Sequence, residues 1–170
     1  ISGGIMDGVS VDGLNGGPLA GLRNRVINGG MSIIQRGQSF TGVANTAFTL
    51  DRWRWLQNGA GVVDIARVND HPLGFGYCLG VTVTTPDTSL TGTDHYALGY
   101  GLEGFETQDL RLGNAAAKDV TVSFWVKSPK TGTHSIALTN STTTRSYPAT
   151  YTVNAANTWE YKSISLTLDV

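Results

Sequence analysis

Cysteine is almost absent: Cys78 is the single one in 170 residues. No disulfide can close within the chain, and neither a thiolate zinc site nor a CxxC redox pair can be built from it. Packing alone has to hold the fold. Charge is scarce as well. Twelve Lys and Arg stand against 13 Asp and Glu, and charged residues make up 15% of the chain, against roughly 25% in an ordinary soluble domain. Without a concentrated basic face the balance speaks against a nucleic-acid partner. Long apolar runs are missing too: none approaches the roughly 18 residues that span a bilayer, which speaks against membrane insertion. The first residues lack the charged-then-apolar layout of a signal peptide, so a role outside a cell implies a signal beyond this chain or none. The start at Ile1 and the stop at Asp169-Val170, inside an alternating pattern, read as the edges of an excerpt. There is no nucleophile elbow, phosphate loop or Ser/His/Asp constellation.

What the chain has in quantity is glycine, with 22 residues. Seven of them and one proline fall within residues 1–22, ISGGIMDGVSVDGLNGGPLAGL, which show neither helical nor sustained alternating periodicity. Such a segment cannot build its own core. It reads as an extended Gly-rich arm, either a flexible linker or a strand-like arm ordered by neighbouring chains. Residues 23–170 have the size of one domain with a single core.

Over that domain, short apolar runs alternate with turn clusters, as in all-β proteins. NRVIN (24–28) and MSIIQR (31–36) flank Gly29-Gly30, a hairpin turn or a simple break. Further segments are FTLDRWRWL (48–56), GVVDIARV (61–68), GYCLGVTVT (76–84), HYALGYGLEGF (95–105), DVTVSFWVK (119–127), THSIALT (133–139), YPATYTV (147–153) and TWEYKSISLTL (158–168). The cleanest is DVTVSFWVK. Val120, Val122, Phe124 and Val126 share one face while Thr121, Ser123, Trp125 and Lys127 share the other, which is the period-two signature of a half-buried strand. Ile164, Leu166 and Leu168 repeat the pattern. One short helical turn or two is expected around LGNAAAKD (112–119). Eight to ten strands without covering helices must pack sheet on sheet, as a β-sandwich.

RNRVINGGMSIIQRGQSFTG, LDRWRW, DVTVSFWVKSPKTGTHSIAL and YTVNAANTWEYKSISLTL, in that order, resemble a carbohydrate-binding-module-like domain of bacteriophage tail fibres and related virion proteins. The loose pattern is N-hydrophobic-hydrophobic-N-G, I-x-Q-R-G-x-S-F, D-R-W, V-T-hydrophobic-S-F-W-hydrophobic-K, and T-W before an alternating strand. Residues 24–29, 34–37 with Ser39 and Phe40, Asp51-Arg52-Trp53, 120–127 and Thr158-Trp159 stand at its places. The resemblance implies a jelly-roll β-sandwich, similar to galactose-binding-like modules, carried on a homotrimeric fibre. Members usually continue with further strands after the one that follows T-W. This chain stops at Val170, which implies a jelly roll lacking its last strands or one closed in another way.

Two apart on a strand, Trp53 and Trp55 share a face, and Arg52 and Arg54 share the other. That face is either a sugar-stacking platform or the inner wall of the sandwich. Large groups are few here, and each buried aromatic removes roughly 150–250 Å² from water, so core is the favoured reading, more strongly for Trp53. Asp51 falls on the same face and needs a partner or a bend at the strand start. Trp125, opposite the apolar face of its strand, has the best claim of the four tryptophans to an exposed role. Trp159 reads as a plug at the start of its strand.

NDHPLGFGY (69–77) sets Asp70, His71, Phe75 and Tyr77 on one loop, and TGTDHYALGY (91–100) repeats the pairing at Asp94 and His95, followed by Tyr96 and Tyr100. Two such loops converging on one end of a sandwich would supply what sugar sites use: a carboxylate accepting from hydroxyls, an imidazole and a ring. The candidate carbohydrate-binding set is therefore Asp70, His71, Tyr77, Asp94, His95, Tyr96 and Trp125; ordinary surface-loop roles are the competing reading. No ligand spacing points to a transition metal, and a structural calcium on loop carboxylates is the one cofactor the fold class leaves open. Glu103 and Glu106 are the nearest approach to the paired carboxylates of glycoside cleavage, but on a regular strand they point to opposite faces. The expected function is non-enzymatic: a fibre or spike domain of a phage virion that contacts host-surface glycan and other virion proteins. A purely structural virion protein and an accessory domain of a polysaccharide depolymerase are the competitors.

Overall fold

The computed structural model describes residues 24–167. The arm expected at residues 1–22 and the strand position expected at Leu168 lie outside the described residues. The order is β1 (Ser39–Phe40), β2 (Trp53–Asn58), β3 (Val62–Val68), β4 (Cys78–Thr85), β5 (His95–Tyr100), the short helix α1 (Gly104–Thr107) with a 3-10 turn (Gln108–Leu110), β6 (Val120–Val126), β7 (Gly132–Thr139), β8 (Ser146–Val153) and β9 (Glu160–Leu166). All pairings are antiparallel, in sheets β1-β3-β4, β2-β5, β6-β9 and β7-β8. The protein is therefore all-β, built of several antiparallel sheets.

Period two decides which residues go inside. Val63 and Ile65 on β3 point the same way and are buried, and Trp55 of β2, from a different sheet, joins them in one buried cluster. Val43 completes this core, with Phe40, Ala47, Leu79 and Tyr96 packed around it. Each fully buried side chain of this size adds roughly 1.5–3 kcal/mol. The chain passes from β2 to β3 through Gly59, where a β-carbon would lie 2.2 Å from the Tyr96 hydroxyl. A side chain there would have to displace the Tyr96 ring and the Asp87 carboxylate. In the second half, Phe124 of β6 meets Tyr151 of β8 edge-on at 5.0 Å, and Tyr151 stacks on His134 of β7 at 5.5 Å. Val153 and Leu166, at the ends of β8 and β9, are fully buried. Burial pushes the Tyr151 hydroxyl pKa up.

Three expectations need correcting. The segments 24–28 and 31–36 form turns rather than strands. Asn28 and Met31 have φ of 62° and 55°, left-handed values that no strand tolerates. Asn28 organises the turn through its side chain, donating to the carbonyls of Ile33 (2.9 Å) and Asp51 (3.0 Å) and accepting from Ile33 N–H (2.8 Å). The helix expected at 112–119 is absent, and α1 forms at Gly104–Thr107 instead. Gly113 is left-handed at 78°, and Asn114 closes a turn onto the N–H of Ala116 at 3.0 Å. Three alanines do not repay helix nucleation, whereas a capping box at Glu103 does locally. Finally, Trp55 rather than Trp53 is the buried indole, at 4% exposure. Trp53 is half-buried, edge-on to Tyr100 at 5.2 Å, with its Nε1 donating to the Asn28 carbonyl at 3.2 Å. Asp51 takes the expected bend: it sits in a turn closed by Trp53 N–H on the Leu50 carbonyl at 2.9 Å, though its Oδ2 is buried without a hydrogen-bond partner.

Candidate functional site

The register of β6 and β9 sets Trp125 opposite Tyr161, Ser123 opposite Ser163 and Thr121 opposite Ser165. The alternation that turns Val120, Val122, Phe124 and Val126 inward leaves these six side chains exposed on the outer face. The two rings sit 5.5 Å apart at 58° and are 39% and 55% exposed. Thr121 and Ser165 share a hydroxyl hydrogen bond of 3.0 Å. From Thr121 to Trp125 the strip runs roughly 14 Å along the strand.

The aromatic end of this strip carries charge. Lys127 follows β6 and Trp159 precedes β9, each keeping the parity of the ring beside it. Asp70, on the loop after β3, ties them together: Lys127 Nζ donates to its Oδ2 at 2.6 Å and Trp159 Nε1 to its Oδ1 at 3.1 Å. The Lys127 ammonium, and after it the indole N–H, hold the Asp70 carboxyl below the usual carboxylate range. Cys78 Sγ donates to the Asp70 carbonyl at 2.9 Å, and burial pushes the Cys78 thiol up, away from the reactive thiolate. Two exposed rings, a row of hydroxyls, a carboxylate and an ammonium thus share one face.

The candidate residues do not gather as a set. Asp70 and Trp125 belong to this face. His71 is exposed beside it in sequence, its Nδ1 3.2 Å from the Pro72 carbonyl. Tyr77 is half-buried under the Arg67 guanidinium, 3.9 Å from its ring centre. Asp94, His95 and Tyr96 lie at the other end of β3, because Asn58 Nδ2 bonds the Thr93 carbonyl (3.3 Å) and Gly61 N–H bonds the Tyr96 hydroxyl (2.8 Å). The seven residues of β3, roughly 20 Å, separate the two Asp-His loops, so they do not converge. Asp94 spends its Oδ2 on the Thr91 N–H at 2.6 Å, closing its own loop. His95 is exposed, with Nδ1 3.4 Å from the Thr93 carbonyl. Tyr96 is a core residue: its ring lies 6.4 Å from Trp55 and its hydroxyl donates to Asp87 at 2.6 Å. Lys127, Trp159 and Tyr161 were not among the expected ligand residues. The usable signal was their parity with Trp125 and with one another.

No protein-family model matches this chain, and no curated protein or solved structure matches it either. Among the described residues no helix is long and apolar enough to cross a membrane. Nor do three or more His, Cys, Asp or Glu residues come together there in a metal-holding group, so the calcium expectation finds no carboxylate cluster to rest on.

The two glutamates also need correcting. Glu103 and Glu106 are not on opposite faces of a strand; they form the capping box of α1, with Glu103 N–H donating to Glu106 Oε2 at 3.1 Å. Both face Arg52, at 2.5 Å and 3.7 Å. The capping box and the pairing with Arg52 give both a structural role. Beside them Phe48, Arg52, Arg54, Gly101, Leu102 and Glu103 line an open cleft of about 240 Å³.

Proposed function

We propose that this chain is a non-enzymatic virion domain, part of a tail fibre or spike, whose jelly-roll sandwich binds host-surface carbohydrate. The observation that carries the reading is the Trp125–Tyr161 pair, exposed on a strip bordered by Ser and Thr hydroxyls and ended by Asp70 and Lys127. Amphipathic rings take the C–H faces of a sugar, and hydroxyls, carboxylate and ammonium exchange hydrogen bonds with its hydroxyl groups. An open strip binds weakly. Homotrimeric display on a fibre multiplies such binding without new contacts. The resemblance to virion carbohydrate-binding modules supports the same reading and the virion location proposed with it.

The test is a glycan array followed by titration calorimetry on the intact chain. Trp125→Ala and Tyr161→Ala are each expected to weaken the best glycan at least tenfold while the circular dichroism spectrum stays that of the parent. No binding to any glycan, or affinity unchanged in the double variant, overturns the reading. A second reading, a purely structural virion component, draws on β4. It is the outer strand of its sheet, and Val81, Thr82, Val83, Thr84 and Thr85 are all exposed. An uncharged edge rich in β-branched residues is suited to pairing with another chain. Oligomers that dissociate on Val83→Lys, with no glycan bound by the parent, favour it. Shortening of a polysaccharide by the chain favours a depolymerase accessory domain.

A further inference from the structure

The cleft beside α1 has its own chemistry. Phe48 and Arg54 face each other as an isolated antiparallel bridge, and Phe48 is 51% exposed. Arg36 lies over the Phe48 ring, 5.2 Å from its centre. Arg52, on the rim, is paired with both Glu103 and Glu106, a trio that keeps one negative charge. Arg36 and Arg54 meet no carboxylate among the described residues, so two guanidinium charges stand uncompensated around one exposed ring. Arg54 is also held in place. A β-carbon on Gly99, its partner across β2 and β5, would lie 3.3 Å from Arg54 Cγ and Nε and 2.9 Å from Leu56 Cδ1. The missing side chain lets the arginine stem lie flat on the sheet.

We propose that this cleft binds a sugar residue bearing a carboxylate, with Arg54 on its wall engaging the anion and Arg36, over the Phe48 ring, adding positive charge, while Phe48 and Leu102 take the ring's C–H face. A planar guanidinium matches a carboxylate with two parallel hydrogen bonds. The volume of about 240 Å³ falls below the roughly 300–1,000 Å³ of pockets for drug-sized ligands. It suits one ring of an acidic polysaccharide, not a long segment. Arg52 offsets one of the two rim carboxylates, Glu103 and Glu106, and the charges of Arg54 and Arg36 outweigh the other. The inference deepens the glycan reading by naming a ligand class, but it uses none of the residues of the β6–β9 face.

Titration calorimetry at low salt compares trigalacturonic acid, neutral galactotriose and a sulfated galactotriose. The expected result is binding of the uronic-acid trimer at least tenfold tighter than the neutral one, weakening as NaCl is raised. Arg54→Gln is expected to remove that preference, and Gly99→Ala to reduce it by displacing the guanidinium without deleting it. Trp125→Ala with Tyr161→Ala is expected to leave it intact, which separates this proposal from the platform. Equal affinity for acid and neutral trimers, no binding of the acid, preference for the sulfated sugar alone, or full retention in a folded Arg54→Gln variant each overturns it.

Discussion

Trp55→Ala tests whether the paired indoles of β2 belong to the core. Trp55 is 4% exposed and enclosed by Val43, Val63 and Ile65. Removing its ring returns roughly 150–250 Å² of apolar contact, which at about 25 cal/mol per Å² is some 4–6 kcal/mol. Partial collapse of the cavity brings the expected loss to about 3–5 kcal/mol. For a domain of this size that lowers Tm by roughly 6–20 °C and moves the urea midpoint by about 2 M. Trp53→Phe is the internal control. It keeps an aromatic ring against Tyr100 and loses only the hydrogen bond to the Asn28 carbonyl, 3.2 Å long, for about 1 kcal/mol. Urea unfolding followed by far-ultraviolet circular dichroism reads both. If Trp55→Ala costs less than about 1 kcal/mol, or no more than Trp125→Ala on the exposed face, the two-sheet core of this half is wrong. Where Trp55→Ala leaves no folded protein, Trp55→Phe must still cost more than Trp53→Phe.

Arg52, at φ 75°, occupies a turn position that suits glycine. Arg52→Gly and Arg52→Ala both lose the exposed Glu103 pair, worth about 0–1 kcal/mol, but only glycine relieves the left-handed strain. Arg52→Gly should be the more stable by about 1 kcal/mol in urea unfolding; the reverse order refutes the strain argument. Glu160 is held down to about 2 from 4.5, chiefly by Lys162 and next by the Ala155 N–H. Its folded pKa lies below the unfolded one, so its stabilisation is present above pH 4.5 and lost as pH falls towards 2. Glu160→Gln should flatten that acid limb of the stability profile, and an unchanged limb would show that other carboxylates carry it.

Parity along single segments was legible in the sequence, and register between segments was not. β6 is half-buried at Val120, Val122, Phe124 and Val126 and exposed at Thr121, Ser123 and Trp125, as period two demands, because one apolar stripe suffices to choose a face. β7 and β9 alternate for the same reason, whereas β4, half-buried from Cys78 to Gly80 and exposed from Val81 to Thr85, does not. The turns of 24–36 were misread as strands because their apolar pairs fit either state, and the deciding bonds come from Asn28 to Ile33 and to Asp51, 23 residues away. The site was harder still. Asp70 reaches Lys127 across 57 positions and Trp159 across 89, and Thr121 meets Ser165 across 44. Two Asp-His loops with similar composition looked like halves of one site, yet the length of β3 holds them apart. Asp70 found its partners instead at the ends of β6 and β9, where residues already known to share a face needed only a register to become neighbours. A one-residue slip of β9 against β6 would send Tyr161 inward and bring Lys162 to the outer face. The platform therefore exists only as long as the inward burial of Ile164 and Leu166 fixes that register, and stability and binding at this face rest on the same alternation.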